Sequence, residues 1–414
     1  MEKSLTLKNV MFGLQHTFVM FGATILVPIL TGLDISVSLF TAGFGTLLFH
    51  LVTKFKVPVF LGSSFAFIPG ITLIGASLGL PYALGGIVIA GLLYILMAII
   101  FKFVPHHIIF KLLPAYVTGP MIILIGLILA PIAIQNANGS FSKPLVDMIG
   151  VNGSWAIALF TFSMGVLTKV LLPKWNLKFL SHLPVLVALV SGYILSLALG
   201  VVDLSGIVEK SWIGIPRFSL PKFSLEAIMI MVPIALVTII EHFGDIVAIS
   251  NVTGENYLKN PGIHRTLIGD GLATSLAALM GGPANTTYSE NTGAVVITGI
   301  KNPVIMQIAA VFAIILAIVP KFSGIISTIP TPVIGGISIL LFGMISSVGI
   351  QNLIDARVSL TEPKTLIIVS TMLVLGLGGA VINIGFLKFT GLSLAALSGI
   401  ILNAIFYWKS FKTA

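Results

Sequence analysis

Long apolar runs recur along the whole chain, parted by short polar breaks. Fourteen are distinguishable, over residues 10–31, 35–53, 58–78, 82–104, 112–135, 154–172, 183–201, 225–250, 264–281, 283–300, 303–320, 330–350, 363–379 and 389–408. About 20 apolar residues in a helix cross the hydrocarbon layer of a bilayer. The pattern predicts an all-α polytopic membrane protein with 14 transmembrane segments. Two runs do not read as continuous helices. The third is Pro58-Val-Phe-Leu-Gly-Ser-Ser-Phe-Ala-Phe-Ile-Pro69-Gly70 and the tenth is Gly282-Pro283-Ala-Asn-Thr-Thr-Tyr-Ser-Glu-Asn-Thr-Gly293. Both mix proline, glycine, hydroxyls and β-formers, so both are expected to start extended and turn helical midway. Such backbone survives at membrane depth only where protein or a cavity satisfies it.

A faint repeat divides the chain. Gln15-His16 matches Glu241-His242 at an offset of 226 residues, and the same offset sets Ser63-Ser64 on Ser289-Glu290. Leu113-Pro-Ala-Tyr-Val-Thr-Gly-Pro matches Ile329-Pro-Thr-Pro-Val-Ile-Gly-Gly at an offset of 216. The matches fit two halves of seven segments each. Seven is odd, so the second half enters the membrane inverted. Inverted repeats with broken helices near the midplane mark transporters. The two broken segments hold equivalent places, and the binding site is expected between them.

Composition sharpens this picture. Only 8% of residues are charged, against about 25% in soluble proteins, and 57% are hydrophobic. The solvent for most of the chain is therefore lipid. The net charge of +9 comes from basic residues placed singly between apolar runs, without aromatic interleaving. That favours topology control over nucleic-acid binding. With both termini cytoplasmic, the 22 lysines and arginines split sixteen inside to six outside. The chain has no cysteine, so disulfides and thiolate metal sites are excluded. The start leads straight into a long apolar run and reads as a first span, not a cleavable leader. No phosphate loop, zinc spacing or nucleophile elbow appears. No metal, cofactor or enzyme chemistry is expected.

Candidate chemistry lies in the few charges at membrane depth. Most of the 13 acidic residues read as loop or segment-end positions, leaving Glu241, Asp245 and Glu290 inside segments. A charge at the bilayer centre costs about 2.5–3.5 kcal/mol on insertion scales, so such residues are functional by default. Glu241 and Asp245 are four apart and share a helix face. Two close carboxylates in low dielectric resist ionising together, which suits proton coupling. The plainer alternative has Asp245 bonded to a neighbouring backbone or hydroxyl group. Glu290 is expected as a substrate ligand at the helix break, or as a simple cap. His16 and His242 are also intramembrane, and each is either a structural hydrogen-bonding residue or a proton carrier. Gln15 is placed to orient the carboxylates. Phe65 and Tyr288 flank the expected site at the two breaks.

The stretches Gln15-His-Thr-Phe-Val-Met-Phe-Gly-Ala-Thr-Ile-Leu-Val-Pro28, Leu61-Gly-Ser-Ser-Phe-Ala-Phe67, Glu241-His-Phe-Gly-Asp245, Asn260-Pro-Gly-Ile-His-Arg265 and Asn285-Thr-Thr-Tyr-Ser-Glu-Asn-Thr-Gly293 resemble the nucleobase–ascorbate transporter family. Within it they are closest to the bacterial uracil permeases. The resemblance spans about residues 9 to 408 and implies a seven-plus-seven inverted repeat with short strands in segments 3 and 10. It implies a core domain over 1–111 and 225–328, a gate domain over 112–224 and 329–414, and a homodimer through the gate. It implies that Glu241 and Glu290 hold a base, that Phe65 and Tyr288 line its pocket, and that backbone near Ser289 adds bonds. Three positions depart from the uracil permeases, which often carry His at Asp245, Gly at Ser289 and Tyr at Phe342.

The implied activity is proton-coupled uracil uptake by alternating access. Glu241, Asp245, His16 and Gln15 are the candidates for proton coupling. The rivals are a purine (xanthine or urate) symporter of the same family and an anion transporter with the same inverted-repeat fold.

Overall fold

The computed structural model of the chain describes residues 6–104, 108, 111–175, 181, 183–288, 291–292, 295, 301–384 and 387–407. Helices α1 (Leu7–Thr31) and α2 (Ile35–Val52) meet at a tight corner whose residues explain both ends. Gly32, at φ +78°, ends α1 and donates its N–H to Pro28 O. The Asp34 carboxylate accepts from Val37 N at 2.9 Å and starts α2. A left-handed residue suits glycine, and a capping oxygen satisfies an amide that has no helical partner. The chain then runs extended into β1 (Leu61–Ser63), passes a 3-10 turn at Phe65–Phe67 and enters the short helix α3 (Ile68–Ser77). Helix α4 (Leu80–Phe103) follows, with Pro81 in its first turn, where a missing N–H costs nothing.

Helices α5 (Ala115–Ile128) and α6 (Ala130–Ala137) form one apolar stretch that breaks at Leu129. Next come α7 (Lys143–Val170) and α8 (Pro184–Ala198). The long α9 (Leu225–Thr253) is capped by the Ser224 hydroxyl, which accepts from Ala227 N at 3.1 Å. A π-helical turn at Leu258–Gly262 leads into α10 (Ile263–Leu279), then β2 (Asn285–Thr287). Beyond lie α11 (Pro303–Ala317), α12 (Pro320–Ser327), α13 (Thr331–Asp355) and α14 (Pro363–Leu377). A hairpin of β3 (Ile382–Ile384) and β4 (Leu387–Phe389) precedes α15 (Gly391–Phe406).

Among the described residues, seven helical stretches are long and apolar enough to cross a membrane: α1, α2, α4, α5–α6, α7, α9 and α13. The bent pair α11–α12, which turns by 82°, makes an eighth. Segment three starts extended and ends helical, as its composition predicts. Segment ten starts as β2, and its continuation lies largely outside the described residues.

Three elements differ from the pattern reading. Helix α7 begins eleven residues before the expected 154 but holds Gly150 at φ +71°, which splits off a separate first piece. Residues after 317 turn sharply into α12 because Pro320 can only open a new helix. The β3–β4 hairpin was not visible as alternation, since each strand is three residues long.

Helices α4, α9 and α10 pack together, α10 and α11 flank α2, and α1 leans on α11. Separately, α13 packs on α5, α6 and α7, while α14 packs on α5 and α15. One close crossing joins α4 and α10. A Cβ at Gly91 would lie 2.3 Å from Ser275 Oγ and 2.6 Å from Gly271 O. That contact lets the Ser275 hydroxyl donate to Val88 O at 2.9 Å. Helix association in lipid rests on such small-residue packing, because apolar burial gives no drive there. Gly91→Ala is expected to lower the thermal midpoint in detergent, with a loss on the order of 1–3 kcal/mol. Gly343→Ala, where the added Cβ meets nothing within 4 Å, is expected to leave it unchanged or slightly raised.

Candidate functional site

The two extended stretches find each other. Strands β1 and β2 pair antiparallel, with Leu61 opposite Thr287, Gly62 opposite Thr286 and Ser63 opposite Asn285. Two further bonds extend the ladder: Ser64 N donates to Ala284 O at 2.8 Å, and Tyr288 N donates to Phe60 O at 3.2 Å. Neighbouring helices satisfy the outer edges. The Thr46 hydroxyl accepts from Leu61 N at 2.9 Å, and the Thr274 hydroxyl donates to Asn285 O at 2.7 Å. Asn285 Nδ2 donates to Thr41 O at 3.0 Å. Backbone that would be prohibitive at membrane depth is thus paired almost throughout.

The aromatic residues sit at the two exits from the ladder. The Tyr288 hydroxyl donates to Ser63 O at 2.9 Å, and its ring crosses directly over Gly62. A Cβ on Gly62 would lie 2.3 Å from that ring, so only glycine admits it. Phe65 opens the 3-10 turn after β1. Its ring meets Phe342 of α13 edge-on, with centroids 5.7 Å apart. Phe65 and Phe342 therefore form a contact between the strand pair and the second helix group.

Helix α9 brings acids to the same place. Asp245 is buried, and its Oδ2 accepts from the Thr287 hydroxyl of β2 at 3.0 Å. The hydroxyl partner allowed for Asp245 is present. Glu241 lies one turn earlier on the same face and is half-buried. Gln15 and His16 are buried on α1, which packs against β1 and α3. Ser289 and Glu290 lie outside the described residues.

One acid was missed. Asp270 is not among the intramembrane acids read from the sequence, yet it is fully buried in the middle of α10. Its Oδ2 stands 3.0 Å from His242 Nδ1, and both side chains have no solvent exposure. The signal was present, since 270 falls inside the apolar run 264–281. His242 therefore has a charged partner as well as a hydroxyl one. Its Nε2 lies 3.0 Å from Thr266 Oγ1, while the Thr266 hydroxyl donates to Ile263 O at 3.0 Å. Thr266 and Asp270 thus flank the two ring nitrogens of His242, and the whole group is buried between α9 and α10. The Tyr94 phenol of α4 lies within electrostatic reach of both Asp270 and Glu241, and its hydroxyl donates to the Thr238 hydroxyl of α9.

A shallow crevice opens elsewhere, between α1, α8 and α13. Gly22, Ile25, Leu26, Val185 and Ile334 line it. It offers no polar side chain to a ligand, so the strand pair remains the better candidate. Among the described residues, no group of three His, Asp or Glu side chains is arranged to hold a metal ion.

Comparison with known proteins agrees with this architecture. A probable uracil permease of Pasteurella multocida is 43% identical over 399 residues, covering 96% of this chain and 93% of that protein. The uracil permease of Bacillus caldolyticus is 43% identical over 401 residues, covering 95% and 90%. In three dimensions, the transmembrane domain of a cyanobacterium bicarbonate transporter, BicA, superposes with a TM-score of 0.64 at 18% identity. That match covers 95% of this chain and 98% of the other, and it shows a shared fold. A family model described as a permease family matches residues 7–385. The chain is thus a multi-pass membrane protein that belongs to the permease family, a family of transporters and not of enzymes.

Proposed function

We propose that this chain takes up uracil, or a close relative, by proton symport. The observation that carries the reading is the β1–β2 pair, with Phe65 and Tyr288 at its exits and the acids of α9 beside it. Uracil is small, flat and neutral, with N–H donors and carbonyl acceptors on its rim. Carboxylates suit the donors, and backbone N–H groups suit the carbonyls. In this reading Glu241 and Glu290 each accept from a ring N–H, backbone near Ser289 donates, and the two aromatic rings supply flat walls. The names of the similar permeases support the substrate.

The same reading takes the chain as 14 spans in a seven-plus-seven inverted repeat, with both termini cytoplasmic. A core of residues 1–111 and 225–328 rocks against a gate of 112–224 and 329–414, and the gate pairs two copies. The denser packing within α1, α2, α4 and α9–α11 and within α5–α8 and α13–α15, joined by the lesser contacts of α9 with α5 and α15 and of α1 with α8, supports this division. The Phe65–Phe342 contact crosses it. Proton coupling falls to Glu241 and Asp245, with His16 and Gln15 on the facing α1. The His242–Asp270 pair backs this group as a positioning unit on α9 and α10. The fold shared with a bicarbonate transporter does not favour an anion here, because Glu241 and Asp245 would repel it unless protonated.

Proteoliposomes under an inward proton gradient are expected to accumulate radiolabelled uracil. Glu241→Gln and Glu290→Gln are expected to cut the initial rate by on the order of tenfold to a hundredfold, the worth of a charge-assisted hydrogen bond. Excess unlabelled uracil should compete fully, and xanthine or urate should not. Uptake indifferent to collapse of the gradient would refute symport, and stronger competition by xanthine would refute the substrate.

A double-mutant cycle tests the buried pair. Asp270→Asn alone is expected to destabilise by about 3–5 kcal/mol, because it strands His242. The double variant His242→Gln, Asp270→Asn is expected to be less destabilised than the sum of the two single variants. Simple additivity in thermal midpoints would show that the two side chains do not interact.

A further inference from the structure

Residues 199–224 join α8 to α9 with almost no regular structure, the one helical turn being Ser205–Val208. Three of their backbone amides are nonetheless tied to α4, α10 and α11. Gly214 N donates to Ile318 O at 3.1 Å, Ser219 N to Met280 O at 3.3 Å and Lys222 N to Pro81 O at 2.8 Å. These carbonyls lie at the end of α11, the end of α10 and the start of α4. The fit is close: a Cβ on Gly85 of α4 would lie 2.0 Å from Lys222 O. The Phe218 ring meets Phe40 of α2 edge-on at 5.3 Å, and Pro216 is buried. One side of the segment is thus fixed as a strap across the ends of four helices.

The other side is apolar and uncovered. Val208, Trp212, Ile213, Ile215 and Leu220 expose 77%, 70%, 81%, 82% and 81% of their surface. The strap cannot turn these side chains inward, because its inner side is already bonded. Nor can irregular backbone lie in hydrocarbon, where its free amides would go unpaired. The headgroup layer suits both demands, since apolar side chains enter the acyl boundary while backbone keeps water. The charges agree with that depth. Lys210, Arg217 and Lys222 are exposed and interleave with the apolar residues. The Lys321 ammonium lies 4.7 Å over the Trp212 ring. Tryptophan and basic side chains are typical of this layer. The apolar surface also continues onto exposed Leu279 and Ile315, beside the tethering carbonyls of α10 and α11.

We propose that residues 208–220 seat on the polar–apolar boundary of a phospholipid bilayer, with the five apolar side chains in the acyl edge and the basic ones among the phosphates.

The absence of native cysteine allows a clean test. Ile213→Cys, Ile215→Cys, Leu220→Cys and, as a water-facing reference, Asp203→Cys are each labelled with a nitroxide. The full chain is reconstituted in vesicles of phosphatidylcholine and phosphatidylglycerol. Collision rates are read by electron paramagnetic resonance with oxygen, which partitions into lipid, and with a nickel chelate, which does not. The oxygen-to-nickel ratio is expected to be several-fold higher at 213, 215 and 220 than at 203. Equal ratios at all four sites would overturn the proposal. So would low ratios with spin–spin broadening that unlabelled chain relieves, because a second copy would then cover the strap. All four positions are exposed, Asp203 accepting only from the local Ser205 amide, and the three test sites check one another.

Discussion

Unpaired backbone cannot stay in a low-dielectric bundle, and the architecture follows from how this chain meets that constraint. Two extended stretches, far apart in sequence, each present amides and carbonyls that no helix satisfies. They pair with one another, and threonines of α2 and α10 close the outer edges. Each strand alone would be an expensive defect. Together they make a rigid plate of six residues from which a 3-10 turn and helix α3 emerge on one side. The side chains at the exits of that plate, Phe65 and Tyr288, are held by the backbone and not by their own packing alone. This is how a transporter places a polar site inside apolar surroundings without a flexible loop.

The acids obey the same rule. Asp245 faces a hydroxyl of β2, and Asp270 faces an imidazole whose far nitrogen is held by Thr266. Both arrangements tie α9 to its neighbours through buried polar contacts. In the proposed symport, a proton added or removed at this place changes the contacts between α9, α10 and the strand plate, and so links proton binding to movement of one helix group against another. The strap over residues 199–224 binds α2, α4, α10 and α11 at one end, so that group has a tether of its own.

Much of this was legible in the sequence. The long apolar runs translate directly into α1, α2, α4, α9 and α13, because length and hydropathy suffice for a membrane helix. The broken third segment was legible too, since Pro58, Gly62 and the run of serines and phenylalanines cannot form one helix. The partner of that segment was harder to see: pairing of strands more than two hundred residues apart rests on three-dimensional closure, and three-residue strands carry no alternation. The bend at Pro320 and the break at Gly150 were missed because hydropathy ignores backbone angle. Asp270 was missed for a different reason. Hydropathy alone does not mark an acid inside an apolar run as buried, and the fold places it mid-helix against His242. Glu290 and Ser289 fall outside the described residues, so the second wall of the site rests on sequence and likeness.

The central claim is that the strand plate builds the substrate site. A cryo-electron microscopy map of the full chain in nanodiscs with saturating uracil tests it most directly. The account predicts ring-shaped density between Phe65 and Tyr288, beside Glu241. Density instead in the apolar crevice by Ile25, Val185 and Ile334, with the plate unchanged, would contradict it.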